Sequence, residues 1–501
     1  MQQRFDAIVV GGGPAGSSAA ALLARNGAST LVLDKAKFPR DKVCGDGLTP
    51  RALYWLEELG CADEVLDATR SFITSADLFI NGRSVLTGAF PANGMYPGFC
   101  ILLERKVLDH IMIRHAVASG AILRTGCTVR SVRTTPDAAV VETTCDGVPA
   151  SFEGRMVIGA DGANSMISRA LGNRIREGVT AVSMRGYFEN VRVAGSHIQV
   201  HFDEPYFPGY GWLFCDDQGH ANVGVGLAVD PLFPLQGSLH QIYDRFVSES
   251  LAVPLRHARA NSKAKGGWSS FYRPDRIVAE RVVLIGDAAN LGDPISGGGI
   301  HMAMESAHIA APILLNALDN DDLSPSSLGR YETAWNRRNE IDWKIGELFL
   351  TFAKNPHLRD VWLYVLNWIA GIARSDPRFQ EFVGGIFSGG AQARSAFDPK
   401  IWLEVAPFDP RIWMGALSSS SSSGNLTELV PQSLEALRLM LRTLRAGIEF
   451  PGATWSWGSD IFQKTLGLAE CYIRNELTTG PALAAGYIGG TNGNHHSWSA
   501  Q

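Results

Sequence analysis

No apolar run in this chain approaches the roughly 20 residues that a membrane-spanning helix needs, so the protein is expected to be soluble, or peripheral at most. The N-terminus, Met-Gln-Gln-Arg-Phe-Asp, lacks the basic, apolar and small-residue succession of a secretory signal and runs straight into a strand pattern. Excess basic charge is missing too. Lys and Arg number 45 against 50 Asp and Glu, a net charge of −5, which leaves no global field to hold nucleic acid. Cysteine is sparse: Cys44, Cys61, Cys100, Cys127, Cys145, Cys215 and Cys471, with no CxxC pair. An odd, scattered set fits neither a disulfide scaffold nor a zinc cluster, so no metal site is expected and a reducing cytoplasm is the default compartment.

What is present begins with length. The 501 residues suffice for two or three domains with a large core and a separate substrate-binding layer. Phe5 to Val10 reads as a buried strand, Pro14 to Asn26 as an Ala-rich helix and Ser29 to Asp34 as a second strand, which together make a βαβ unit. Gly11-Gly-Gly13-Pro14-Ala15-Gly16 places GxGxxG between strand and helix. Gly11 permits the tight turn, Gly13 lets the backbone approach a pyrophosphate, and Gly16 lets helix and strand pack closely. Asp34, about 20 residues on and at the end of the next strand, is placed to hydrogen-bond ribose hydroxyls. The spacing therefore predicts a dinucleotide site; the plain alternative is a glycine-rich turn in an ordinary α/β domain.

Further along, strand and turn signals run to about Ala279, and a helical pattern covers His301 to Ala317 and Tyr331 to Arg374. Ser418 to Ser423 is an unbroken serine run, read as a flexible linker. Beyond it Leu434, Leu437, Leu441, Leu444 and Ile448 form a helical stripe with Arg438, Arg442 and Arg445 beside it. That stripe either covers the protein's own core or lies on an anionic bilayer. The tail from Gly489 to His496 has the composition of a disordered segment.

Two more segments, Val157-Ile-Gly-Ala-Asp161-Gly162 and Val283-Leu-Ile-Gly286-Asp287, are apolar strands ending in Gly/Asp turns, and the second continues through Pro294 into Gly297-Gly298-Gly299-Ile300. In order with the GxGxxG unit, they resemble the FAD domain of the para-hydroxybenzoate hydroxylase superfamily over roughly Phe5 to Leu315. The resemblance implies FAD as cofactor. It places Gly286 and Asp287 at the ribityl chain or ribose, Pro294 and Gly297 to Ile300 at a helix N-terminus facing the isoalloxazine, and Asp161 and Gly162 near the pyrophosphate. Arg105 is implied at the flavin's phosphate or ribityl portion, Val129 on a strand beside the adenine, and Lys35, Cys44 and Gly45 among the cofactor-binding residues.

Within that superfamily, Phe38-Pro-Arg-Asp-Lys-Val-Cys44-Gly45-Asp46-Gly47-Leu-Thr-Pro-Arg51 is most similar to the geranylgeranyl reductase branch. Tyr210-Gly-Trp212-Leu-Phe214 matches the branch's Tyr-x-Trp-x-Phe pattern, with Cys215 where a proline is usual. Strand alternation puts Tyr210, Trp212 and Phe214 on one face, suited to wall an apolar pocket beside the flavin or simply to pack a sheet. The implied fold is α/β: a Rossmann-like, three-layer FAD-binding domain of glutathione-reductase type, an interleaved mixed-sheet substrate domain and a mainly helical C-terminal region. The expected divisions are 1–75, 101–175 and 280–320 for the FAD-binding domain and 76–100 and 176–279 for the substrate domain. A helical region at 321–417, a Ser-rich linker at 418–430 and a C-terminal helical segment and tail at 431–501 complete the chain.

The implied activity is reduction of carbon–carbon double bonds in an isoprenoid or similar apolar substrate, with Cys44, Tyr210 and Trp212 as candidate catalytic residues. Cys44 is read either as a proton donor or as a small buried hydrophobe. The alternative is a monooxygenase acting on an aromatic or polyene substrate; more remote are a halogenase, whose Trp-x-Trp-x-Ile-Pro signature is missing, and a non-catalytic prenyl-binding protein. No second GxGxxG unit follows a strand elsewhere. Electrons are therefore expected from NAD(P)H docking at the flavin face or from a separate reduced donor protein. The expected partners are an apolar small molecule and that donor, with peripheral membrane contact and no nucleic acid.

Overall fold

The computed structural model describes residues 4–397 and 451–478, apart from breaks at 70, 91–94, 174–179, 196, 204–205, 208, 230–234, 236, 272, 354, 356–358 and 389–392. The serine run, the Leu434–Ile448 stripe and the glycine-rich tail lie outside the described residues.

β1 (Arg4–Val10), α1 (Pro14–Arg25) and β2 (Thr30–Leu33) form the opening unit, followed by β3 (Gly47–Leu48), α2 (Pro50–Leu59), α3 (Ala62–Ala68) and β4 (Phe72–Ile73). A hairpin of β5 (Ser75–Ile80) and β6 (Arg83–Ala89) leads to β7 (Cys100–Leu102), α4 (Arg105–Ala118) and β8 (Ile122–Arg124). β9 (Cys127–Thr134), β10 (Ala139–Cys145) and β11 (Val148–Gly159) make a meander that ends in α5 (Met166–Ala170). β12 (Thr180–Glu189), β13 (Ile198–Phe202), β14 (Gly209–Cys215), β15 (Ala221–Val229), α6 (Leu239–Arg245), β16 (Arg259–Ala260) and β17 (Lys265–Ser270) follow. β18 (Val278–Ala279), β19 (Val282–Leu284), α7 (Ile300–Asp319), α8 (Pro325–Ala353), α9 (Arg359–Ser375), α10 (Pro377–Ser388) and α11 (Pro451–Thr478) complete the described elements.

The first sheet runs β18-β19-β11-β1-β2-β8, parallel from β19 to β8, and β9 and β10 extend it through β11. Its strands are near-continuous apolar runs because α1, α4 and α7 cover them, and α1 buries ten of its twelve residues. The second sheet runs β16-β12-β15-β14-β13-β5-β6, with β17 also on β12, and β3, β7 and β4 make a small third sheet. Behind the second sheet Leu213, Cys215, Val223, Val225 and Phe246 form a separate core.

α2 is fixed at both ends by local chemistry: Thr49 Oγ1 accepts from Ala52 N, Pro50 opens the first turn, and Gly60 takes the left-handed closing conformation. A buried ion cluster ties it to its neighbours, Glu305 of α7 pairing with Arg51 of α2 and with Arg338 of α8. Burial alone would push the Glu305 carboxyl up, but the two guanidinium groups outweigh it and hold it below the usual range.

Cysteine pairing differs from the reduced set expected of a scattered group of thiols. Cys127 and Cys145 face each other across β9 and β10 and form a disulfide. Nothing in a scattered set of cysteines foretells such a pair, because hairpin register brings its members together.

Candidate active site

The C-terminal ends of β1, β2 and β11 open onto one continuous cavity of about 1210 Å³, roofed by a face of the second sheet. This is where a doubly wound sheet places its ligands.

At one end is a cradle for a dinucleotide. Gly11 has φ +104, and a Cβ there would lie 2.4 Å from Ala160 O, so this turn accepts no side chain. A Cβ on Gly16 would fall 1.8 Å from Gly11 O, which is the close helix–strand packing expected of that position. Gly13 is different: the nearest atom to a Cβ there is Arg40 Nη2 at 3.6 Å, and the space belongs to the cavity. α1 begins with no side-chain cap and no acid in its first turn, so its free N–H groups and positive dipole end are left for an anion. Asp34 lines the cavity, its Oδ2 accepting from Gly12 N at 2.7 Å and its Oδ1 from Ala36 N at 2.8 Å. Lys35, Pro14, Ala15 and Val129 line the same end.

At the middle, the Asp161 carboxylate caps the start of α5, accepting from Met166 N at 2.6 Å and Ser165 Oγ at 2.5 Å, with Gly162 beside it. Asp287 faces Lys42 Nζ at 3.4 Å. Pro294, Gly297, Gly298, Gly299 and Ile300 line the wall where α7 starts, and this 20-residue helix also has neither a side-chain cap nor an acid in its first turn. Two uncapped helix ends facing one cavity fit the pyrophosphate and the flavin ring of FAD. Gly286 and Gly16 stand behind the wall instead; at Gly286, φ is +58 and a Cβ would press on Ala15 at 2.8 Å.

Arg105 reaches the cavity wall, but its Nε and Nη2 hold both oxygens of the fully buried Asp109, at 2.7 and 2.9 Å. Asp109 also pairs with Arg40 Nη1 at 2.9 Å. Burial lowers the affinity of Arg105 for its proton, yet Asp109 more than restores it and the guanidinium stays charged beside Cys44. Burial pushes the Cys44 thiol up against the opposing pull of Arg105, so it rests in the thiol form.

The far end is apolar. Tyr210, Trp212 and Phe214 point from β14 into the cavity, while Leu213 and Cys215 point into the core behind. Trp212 fits because Gly224 lies opposite it; a Cβ there would be 2.2 Å from the indole. Tyr210 donates to Ser296 O at 3.2 Å, touching the turn before α7, and burial raises its hydroxyl to about 12. Phe349, Trp362 and Leu366 from α8 and α9 close this chamber.

Several residues that the sequence did not single out meet at the junction of the two ends. Asp46, almost fully buried, accepts at Oδ2 from Tyr187 Oη at 2.6 Å and Asn222 Nδ2 at 2.8 Å, and at Oδ1 from Arg105 N at 3.2 Å. Asn222 also donates to Cys44 O at 2.7 Å and accepts from Trp212 Nε1 at 3.0 Å. Burial lifts the Asp46 carboxyl to about 6, against the opposing pull of Tyr187 and Asn222. His301 lines the wall with Nδ1 3.3 Å from Thr49 Oγ1, and burial beside Arg51 lowers it to about 4, so the ring is neutral. The one available signal was Asp46 itself, a polar residue inside the Cys-Gly-Asp-Gly turn. Its partners lie 141 and 176 positions away.

A family model described as an FAD binding domain matches residues 4–209. Menaquinone reductase of Mycobacterium tuberculosis (strain ATCC 25618 / H37Rv) is 34% identical over 340 residues, spanning 64% of this chain and 79% of that protein. Digeranylgeranylglycerophospholipid reductase 2 of Methanopyrus kandleri is 30% identical over 349 residues, spanning 66% of this chain and 82% of that protein. Among solved structures, a geranylgeranyl bacteriochlorophyll reductase-like protein of Thermoplasma acidophilum shares the fold, with a TM-score of 0.64 at 23% identity over 81% of this chain and 99% of that one.

Proposed function

Because the chain belongs to the geranylgeranyl reductase branch of the FAD-dependent para-hydroxybenzoate hydroxylase superfamily, we propose that it reduces a carbon–carbon double bond in the isoprenoid chain of a lipid. The observation that carries this reading is a cavity that, among the described residues, runs continuously from the dinucleotide cradle to the aromatic chamber. A flat apolar chain threaded past Tyr210, Trp212 and Phe214 meets the wall where α7 begins. When bound and reduced, FAD would supply a hydride equivalent, two electrons with one proton, to such a double bond.

The chain's own residues do the rest. The α1 N-terminus and Asp34 hold the dinucleotide, and the Pro294–Ile300 wall orients the flavin. Tyr210 and Trp212 align the substrate and exclude water, and neutral His301 keeps that wall free of an additional charge. Electrons reach the flavin from NAD(P)H docking at the cavity or from a separate reduced protein, because the sequence holds no second GxGxxG unit. Among the described residues no helix is long and apolar enough to cross a membrane.

The reading is tested by mixing photoreduced enzyme, without oxygen, with digeranylgeranylglycerophospholipid or its fully saturated counterpart. The unsaturated lipid should re-oxidise the flavin and the saturated one should not; equal behaviour of the two would remove the proposal.

A further inference from the structure

We propose that Asp46 is the acid of this reaction: from the cavity wall beside Cys44, its carboxyl delivers the proton that completes the reduced double bond. The assignment rests on the reductase reading and goes beyond it, since that reading leaves the source of the second hydrogen open.

Position is the first argument. The turn from Cys44 to Gly47 lies directly on the aromatic wall; a Cβ on Gly45 would sit 3.0 Å from the Phe214 ring and 3.5 Å from Trp212 Nε1. Asp46 lines the same cavity. Local conformation is the second. Asp46 has φ +64, a left-handed conformation whose usual occupants are glycine, asparagine and aspartate, so the turn accepts an acid here without strain and holds it, buried, on the cavity wall.

The third argument is what surrounds it. From β12, Tyr187 donates to Oδ2, and Arg185 stacks over the Tyr187 ring at 4.1 Å. From β15 the neutral Asn222 donates to the same oxygen, from α4 the Arg105 backbone N–H donates to Oδ1, and the positive charge of Arg185 acts on the carboxyl, while the Arg105 guanidinium lies beside Cys44. Cys44 precedes it on the loop, and Glu104 stands beyond Tyr187. β14 contributes Trp212 and Phe214, with Tyr210 further along the same face and close enough to interact with Cys44. Three donors on a buried carboxyl allow both states: desolvation favours the protonated acid, and the hydrogen bonds receive the carboxylate it becomes. The carboxyl accordingly titrates near 6, within the range that suits an acid at neutral pH.

With FAD bound and reduced, a hydride equivalent (two electrons with one proton) added at one carbon would leave the former π pair on the other. That pair forms a C–H bond with the Asp46 proton, the O–H electrons stay on oxygen, and Asp46 is left as a carboxylate. After the product leaves, water entering the cavity returns a proton to the Asp46 carboxylate.

The test uses the flavin-loaded full chain. Asn tolerates the left-handed conformation and keeps the shape, so Asp46→Asn should fold and bind FAD while losing about 100-fold or more in anaerobic flavin re-oxidation by digeranylgeranylglycerophospholipid. Independently of turnover, infrared spectra of the oxidised enzyme without lipid should show a protonated-carboxyl band that titrates near pH 6 and is absent in Asp46→Asn. Tyr187→Phe removes a donor to the carboxylate and should move both the band and the pH profile of re-oxidation to higher pH, which a purely structural role would not do. A wild-type rate in Asp46→Asn, or no such band, overturns the assignment and leaves the reductase reading standing. A wild type inert to the lipid overturns both.

Discussion

Replacing Gly13 and Gly16 by larger residues separates the two jobs done at the start of α1. At Gly13 φ is −81 and ψ is −172, ordinary extended backbone, and the nearest atom to a new Cβ is 3.6 Å away. Gly13→Val therefore fits the empty cavity, and the flavin-free protein should keep its stability to within about 1 kcal/mol. Its methyl groups occupy the space that a pyrophosphate must enter to reach the α1 N–H groups. Losing two such charge-assisted bonds, at about 1.5–3 kcal/mol each, weakens FAD binding by roughly 3–6 kcal/mol, or about 100-fold to 10,000-fold. Gly16→Ala behaves otherwise: its Cβ would be 1.8 Å from Gly11 O and 3.2 Å from Ala160 Cβ. Helix and strand would have to part by roughly 1.5 Å to reach ordinary contact, an overpacking that costs about 1–3 kcal/mol or more. Calorimetric titration of flavin-free protein with FAD, beside urea unfolding of the same samples, reads both quantities. Gly13→Val with wild-type flavin affinity would falsify the placement of the pyrophosphate at this turn.

Three further outcomes are expected. Asp287→Ala should lower FAD affinity or slow flavin reduction while its flavin-free melting stays close to wild type, because the Asp287–Lys42 pair is partly exposed and contributes about 0–1 kcal/mol; unchanged affinity and reduction would count against the ribityl placement. Trp212→Phe keeps the aromatic wall but leaves Asn222 Oδ1 without its donor, so stability should fall by about 1–3 kcal/mol and lipid turnover should drop with FAD still bound; loss of the flavin instead would mean that Trp212 serves the dinucleotide. Because the folded Asp46 carboxyl is raised to about 6 from an ordinary value of about 3.9, the native state binds the proton more tightly than the unfolded chain. The resulting stability is fully present below about pH 4 and is lost as pH rises through about 6, a fall of roughly 2–3 kcal/mol relative to Asp46→Asn; parallel urea midpoints of the two proteins across that window would contradict it.

The parts of this site that were legible from sequence are those whose meaning is local. A GxGxxG turn, an acid at the end of the next strand and the Gly/Asp turns at Asp161 and Asp287 each carry their geometry within a few residues. Tyr210, Trp212 and Phe214 were readable as one face because a strand alternates with period two. Asp46 was not, since its character comes from Tyr187 and Asn222 on separate strands of the other sheet. Arg105 shows the same limit: its place at the head of α4 is local, but its hold on the buried Asp109 and its nearness to Cys44 depend on packing. The Cys127–Cys145 disulfide and the Glu305 cluster likewise arise from register and helix packing, for which single-chain spacing has no signal.

The central claim, reduction rather than oxygenation, is tested most directly by the product of a single turnover. Reduced wild-type enzyme mixed with digeranylgeranylglycerophospholipid in the strict absence of oxygen should yield re-oxidised flavin and a lipid that has gained two hydrogens. A lipid left unchanged under those conditions, and gaining an oxygen atom only when oxygen is admitted, would contradict the account.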